Sequence, residues 1–176
     1  ILTVKDMKRL IAIVAVVCAL SGLLMLKTSF GTLFALEPLC LIILGAAAMG
    51  GAVKYTLGRN PYGYRGLGDI SVFTFFGIVS VLGAYFVAAH TIPSLLMLLP
   101  AVAMGCFSVG VLNVNNMRDV KSDAGIRVTT PMRIGVKGAK IYHTALIVTG
   151  WICLTIFNLC RFPDPWHWLF FITLPL

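Results

Sequence analysis

Charge is what this sequence most lacks. Asp, Glu, Lys and Arg make up 11% of its 176 residues, against about 25% in an ordinary soluble domain. Acid is scarcest of all, at six residues against fourteen Lys and Arg, and the formal net charge is +8. The five cysteines all lie in apolar runs, with no Cys-x-x-Cys pair and no Cys/His cluster. That excludes a disulfide framework and a zinc site and leaves them reading as small core residues. No basic region, short apolar core and cleavage site opens the chain, so no secretory signal peptide is legible. No strand precedes a glycine-rich turn and no Gly-Lys-Ser/Thr occurs, so no nucleotide-binding fingerprint is present. What remains is apolar: 59% hydrophobic residues and a mean hydropathy of +0.96. The composition is that of an integral membrane protein.

The apolar residues fall into runs of spanning length. Residues 10–26, LIAIVAVVCALSGLLML, are free of charge and bracketed by Lys8, Arg9 and Lys27. Residues 70–89, 91–112 and 141–160 are each long enough for a hydrocarbon core of about 30 Å. The run 38–53 is shorter and spans if it begins near Leu33. Every backbone polar group in lipid has to be bonded internally, so each span is a helix. A sixth run starts at Trp166 and reaches Leu176 after eleven residues, too few to cross. The expectation is an all-α polytopic bundle with five full spans and a truncated sixth. Ile1 in place of an initiator Met, and the abrupt end, read as an internal piece of a longer chain: one transmembrane domain over 1–176, incomplete at both ends.

Threading five spans puts residues 1–9, 54–69 and 113–140 on one side. Lys5, Lys8, Arg9, Lys54, Arg59, Arg65, Arg118, Lys121, Arg127, Arg133, Lys137 and Lys140 lie there, and only Lys27 and Arg161 lie opposite. Basic loops stay in the cytoplasm, so these loops are expected at the cytoplasmic face of an inner (plasma) membrane. Topology thereby accounts for the positive charge. A nucleic-acid partner would ask for a basic, aromatic-studded face on a soluble domain, and none is legible.

The orientation rule asks for no acid on that side, yet Asp6, Asp69, Asp119 and Asp123 are there. In NVNNMRDVKSD, Asn115, Asp119 and Asp123 are spaced by four. On a helix continuing from the span before them, they share one face. Two carboxylates one turn apart repel unless a cation lies between them. Mg²⁺ suits such a pair, since it takes hard oxygen ligands and often binds one or two carboxylates together with substrate phosphates. Arg118, Lys121 and Arg127 stand ready for diphosphate oxygens. The plainer alternative is a solvated helix end, with Asp123 and Arg127 as an exposed pair four apart.

A companion loop faces the same side. KYTLGRNPYGYRGLGD, residues 54–69, holds three tyrosines, four glycines and a proline, and so reads as irregular backbone. Tyr55 and Arg59 are four apart. Interfacial anchoring is the alternative reading of the tyrosines.

These paired segments resemble the UbiA superfamily of membrane prenyltransferases. NNMRDVKSD followed by GIRVTTPMRIG resembles the family's second aspartate-rich motif, N-x-x-x-D-x-x-x-D, met by Asn115, Asp119 and Asp123. YTLGRNPYGYRGLGD resembles the Y-x-x-x-K/R element, with Tyr55 and Arg59 in those places. Its continuation through Pro61, Tyr64, Gly66, Gly68 and Asp69 is most similar to the menaquinone branch. Two departures stand out. Ile126 follows Gly125 where the family usually has lysine, with Arg127 as the nearest substitute, and nothing matches the family's first aspartate-rich motif.

The resemblance implies a nine-helix bundle and Mg²⁺-dependent transfer of a polyprenyl group from its diphosphate to an aromatic acceptor. In this branch the acceptor is 1,4-dihydroxy-2-naphthoate and the product demethylmenaquinone. It implies catalytic and metal-binding roles for Asn115, Asp119 and Asp123. It implies substrate contacts from Tyr55, Arg59, Tyr64, Asp69, Arg118, Lys121 and Arg127. It also implies that 176 residues with one carboxylate cluster are inactive alone. Other branches acting on hydroxybenzoate, haem or a chlorin stay open. So does a transporter, which would place ionisable residues in mid-span, with Glu37 as the possible case. A scaffold packed through GAAAMGG is weaker.

Overall fold

The computed structural model describes residues 3–59, 61–162 and 164–173. Five helices are long and apolar enough to cross a membrane: α1 (Val4–Phe30), α2 (Leu36–Thr56), α3 (Gly68–Ala89), α4 (Leu95–Arg118) and α5 (Thr130–Arg161). The described residues after α5 form a 3₁₀ segment, Pro165–Thr173, where a truncated sixth helix was expected; residues 174–176 of that run lie outside the described residues. The chain divides into two units, Ile1–Lys54 and Tyr55–Leu176.

In the first unit, α1 opens with a capping box. The Thr3 hydroxyl accepts from the Asp6 amide, and the Asp6 carboxylate accepts from the Thr3 amide at 3.0 Å. Asp6 is therefore a helix-start acid, which closes two of the orphan N–H groups every helix leaves. Glu37 lies in the first turn of α2, where the helix dipole favours a negative charge. It is therefore an end residue and not a mid-span one.

In the second unit α4 is the central helix and packs against both α3 and α5. Ala101, Gly105, Val109, Asn113 and Asn116 are buried along it, at steps of four, four, four and three, which is one helical face. Asn113 is fully buried, and its Nδ2 donates to the Ala139 carbonyl of α5 at 2.9 Å. Hydrogen bonds of this kind, with small residues, hold helices together where lipid supplies no hydrophobic drive. Gly77 of α3 shows how close the approach is. A Cβ there would come within 2.6 Å of Gly105 Cα and 2.7 Å of the Ala101 carbonyl. Through this contact α3 widens into a π-helical stretch, Phe73–Val79. Of the cysteines, Cys106 is buried, but Cys18, Cys40 and Cys160 are exposed. A thiol is apolar enough to face lipid, so hydropathy could not tell a core position from an outer one.

Helix α5 begins eleven residues before the expected 141. Arg133, Lys137 and Lys140 fall four and three apart on an exposed face, so its first turns are amphipathic and escape a hydropathy reading. Its unbroken part, residues 136–161, is about 39 Å long, more than the hydrocarbon alone requires. Gly135, at φ 71° and ψ 165°, breaks it near its start.

Candidate active site

The Gly68 end of α3, the Arg118 end of α4 and the Thr130 end of α5 are drawn together by the two segments that connect them. Residues 57–59 and 61–67 form the irregular connection the glycines and proline foretold, with one 3₁₀ turn at Tyr62–Tyr64. Residues 119–129 form the second. Arg65 and Val128 pair as an isolated parallel bridge, with the Val128 amide donating to the Tyr64 carbonyl at 2.8 Å. Two side chains reinforce the seam. Thr130 Oγ1 donates to Asp69 Oδ2 at 2.6 Å, and Arg133 Nη2 donates to the Arg65 carbonyl at 2.8 Å. Gly66 makes the second possible. Its φ is +81°, and a Cβ there would sit 2.5 Å from Arg133 Nη2.

Between the segments lies a narrow, solvent-open cleft. Tyr55, Asp69, Asn116, Arg127, Thr129 and Thr130 line it, and it has room for about one water-sized group. Tyr55 is held edge-on to Tyr62, ring centroids 5.4 Å apart, and the Tyr62 hydroxyl lies 3.2 Å from Ser71 Oγ.

The expected helix through the carboxylates nearly holds. α4 stops at Arg118, Asp119 takes φ −94° and ψ 7°, and a single turn follows over Val120–Asp123. The Asp119 amide still donates to Asn115 and the Asp123 amide to Asp119, at 3.0 and 2.9 Å, so the three residues remain one turn apart. Each carboxylate faces an arginine. Arg118 grips Asp119 with both Nε and Nη2, at 2.8 and 3.1 Å, and holds its carboxyl below the usual 3.8. With the Arg118 side chain 71% exposed, solvent screens this pair and it adds little to stability. Arg127 Nη2 lies 2.6 Å from Asp123 Oδ2 with side chains only 29% and 14% exposed. The Asp123 carboxylate keeps that guanidinium more firmly protonated than usual. Arg127 Nε has no hydrogen bond of its own, and Thr129 Oγ1 is also buried without one. A buried polar group left so costs about 1–3 kcal/mol.

The other expected residues are more dispersed. Asn115, Arg59 and Lys121 are exposed, and Tyr64 is half-buried, contributing its carbonyl to the seam. Asn116, its neighbour, is the asparagine that lines the cleft. Its burial was readable in principle, because it stands three residues after Asn113 on the apolar phase of α4. Thr129 and Thr130 also escaped the sequence reading. Their signal was a Thr-Thr-Pro helix start, with Pro131 in the first turn.

Among the described residues no three His, Cys, Asp or Glu side chains gather into a metal cluster. The donor types nonetheless fit Mg²⁺ shared with a ligand: two carboxylates and an amide oxygen at one-turn spacing, with an arginine beside each carboxylate.

Five helices long and apolar enough to cross a membrane, with a polar, arginine-bearing cleft at one end of the second unit, define a polytopic membrane protein. The family follows from comparison with known proteins: residues 6–176 match the UbiA prenyltransferase family, and the chain belongs to it. The chain is 42% identical over its whole length to the 1,4-dihydroxy-2-naphthoate octaprenyltransferase of Escherichia coli (strain K12), of which it covers 56%. It is 39% identical to the Haemophilus influenzae protein of the same name, over 76% of this chain and 43% of that one. It is 31% identical to the human UbiA prenyltransferase domain-containing protein 1, over 69% of this chain and 35% of that one. The chain thus spans about half the length of the curated relatives it matches most fully. No solved structure matches it.

Proposed function

We propose that this chain forms the diphosphate-gripping part of an enzyme that transfers a polyprenyl group from its diphosphate to 1,4-dihydroxy-2-naphthoate. The observation that carries the reading is the part-buried Asp123–Arg127 ion pair, with Arg127 Nε and Thr129 Oγ1 buried and without a hydrogen bond, beside a cleft at the end of apolar helices. A prenyl diphosphate has this two-part chemistry, a doubly hydrogen-bondable charged head on a lipid-soluble tail. The relatives named for naphthoate prenyl transfer support the acceptor.

The chain's own residues have separable tasks. Arg127 and Arg118 exchange their carboxylate partners for diphosphate oxygens and stabilise the negative charge that develops as the carbon–oxygen bond breaks. Asp119, Asp123 and Asn115 would hold Mg²⁺, which when bound adds Lewis-acid stabilisation of the leaving diphosphate. Tyr55, Asp69 and Thr130 line the opposite wall of the cleft, toward the acceptor. The lipid-facing helices guide the tail, and the loops face the cytoplasm of an inner membrane, consistent with their basic residues. The 176 residues alone carry one carboxylate cluster and are inactive without the remainder of a relative-sized chain.

The test is Asp119→Ala and Asp123→Ala in the longest natural chain containing this sequence, assayed in membranes across a Mg²⁺ titration. Each variant is expected to lose at least about 100-fold in prenyl transfer at equal protein level. Near-normal turnover with either alanine would end the metal role.

A further inference from the structure

Five of the six acidic residues are accounted for by their surroundings. Asp6 caps α1, Glu37 lies in the first turn of α2, and Asp164 accepts from the Trp166 amide. Asp119 and Asp123 each hold an arginine. Asp69 differs. It lies in the first turn of α3, lines the cleft and has no cation at ion-pair distance among the described residues. Its partners are hydroxyls: Thr130 donates to Oδ2 at 2.6 Å, and the Tyr142 hydroxyl lies alongside as a hydrogen-bonding neighbour. The Thr130 bond fixes the direction of this carboxylate, with Tyr142 beside it, and no cation among the described residues is paired with it. Arg127, which also lines the cleft, is engaged by Asp123.

We propose that Asp69 is the proton acceptor for the aromatic substrate, a role that rests on the prenyl-transfer reading above. The cleft admits a hydroxyl-sized group, so the acceptor presents one ring hydroxyl to Asp69 while the ring lies outside. The O–H bond breaks and its proton passes to the carboxylate. The electron pair it leaves closes a C=O, and a ring pair forms the new bond to the prenyl carbon. The prenyl carbon–oxygen bond breaks and its pair departs with the diphosphate. The attacked ring carbon then sheds its substituent, a carboxylate leaving as CO₂ or a hydrogen as a proton. The pair left behind restores the aromatic ring as a phenolate, which recovers the proton from Asp69. No oxidant or further reactant is needed. General-base help of this kind is worth about 10²–10⁴ in rate. Thr130 and Tyr142 act through Asp69 and are positioning residues.

The experiment compares wild type, Asp69→Asn and Thr130→Val in the longest natural chain, with farnesyl diphosphate and Mg²⁺. Two acceptors are used: 1,4-dihydroxy-2-naphthoate, and a ring-fluorinated analogue whose hydroxyl is already ionised at assay pH. Asparagine keeps an oxygen for the Thr130 hydroxyl and loses the basic charge. The expected result is a kcat for Asp69→Asn at least about 100-fold below wild type with the natural acceptor, an unchanged KM for farnesyl diphosphate, and a difference of less than tenfold with the fluorinated acceptor. Thr130→Val is expected to lose less than Asp69→Asn with the natural acceptor and, because it acts through Asp69, to change little with the fluorinated one. An equal loss by Asp69→Asn with both acceptors, or none with either, overturns the assignment. If wild type transfers nothing to the natural acceptor, the prenyl-transfer reading itself falls and takes this one with it. The unchanged KM shows that the variant is folded.

Discussion

Gly66→Ala tests the seam between the two connecting segments, and its cost has two parts. At φ +81° any Cβ meets the backbone, which costs about 1–2 kcal/mol. The same Cβ would lie 2.5 Å from Arg133 Nη2 and 2.7 Å from Cζ. Arg133 is an exposed, flexible side chain, so it moves away and gives up its bond to the Arg65 carbonyl. A hydrogen bond from a charged donor contributes about 1.5–3 kcal/mol. Together these weaken the seam by about 2.5–5 kcal/mol, or about 60- to 4,000-fold in its opening equilibrium. The Val128 amide, bonded to the Tyr64 carbonyl, reports that opening directly. Hydrogen exchange read by mass spectrometry on peptides covering Val128 should accelerate by that factor. In an Arg133→Ala background only the backbone strain remains, so the same substitution should accelerate exchange by about 5- to 30-fold. Equal effects in the two backgrounds, or no acceleration in wild type, would show that Arg133 does not lie over Gly66.

Gly77→Ala meets backbone on both sides, at Gly105 Cα and the Ala101 carbonyl. Nothing flexible can yield, so α3 and α4 must separate, and thermal stability in detergent should fall by about 1–3 kcal/mol. A cysteine at Lys137, with the native cysteines replaced, should react with an impermeant thiol reagent only once the cytoplasmic face is opened, while one at Asp164 should react from outside; the reverse pattern would invert the proposed orientation. Arg118 holds the Asp119 carboxyl below 3.8, so the folded state releases its proton more readily than the unfolded chain. That stabilisation is present above the ordinary value and is lost as pH falls through the folded one. The small stability gap between wild type and Asp119→Asn should therefore be flat near neutral pH and close in acid, as followed by thermal melts across a pH series.

The spans were legible because length and charge-free runs are all a bilayer demands. Their ends beside the cleft were less so. The first turns of α5 carry Arg133, Lys137 and Lys140, and a hydropathy reading takes such residues for loop. The one-turn relation of Asn115, Asp119 and Asp123 survives in the structure, as the spacing of four led one to expect. The partner of each carboxylate did not follow from spacing. Arg118 is adjacent to Asp119 and reaches it only because α4 ends there. Asn116, Thr129 and Thr130 were hidden for a different reason. Their place in the cleft depends on residues 61–67 pairing with residues 119–129, a contact between residues more than sixty positions apart, as the bond from the Val128 amide to the Tyr64 carbonyl shows. Local pattern holds no record of such a pairing. Asp6 is the converse case, because its capping box is local: Thr3 and Asp6 stand three apart in the sequence.

The central claim is that the cleft serves prenyl transfer to a naphthoate. The direct measurement is product mass. The longest natural chain containing this sequence, in lipid nanodiscs, is given farnesyl diphosphate, Mg²⁺ and 1,4-dihydroxy-2-naphthoate, and the extract is analysed by mass spectrometry. The account predicts a farnesylated naphthalene diol or its quinone lacking the carboxyl group, with diphosphate and CO₂ released in equal amount. No prenylated product, or one formed equally well by Asp123→Ala, would contradict it.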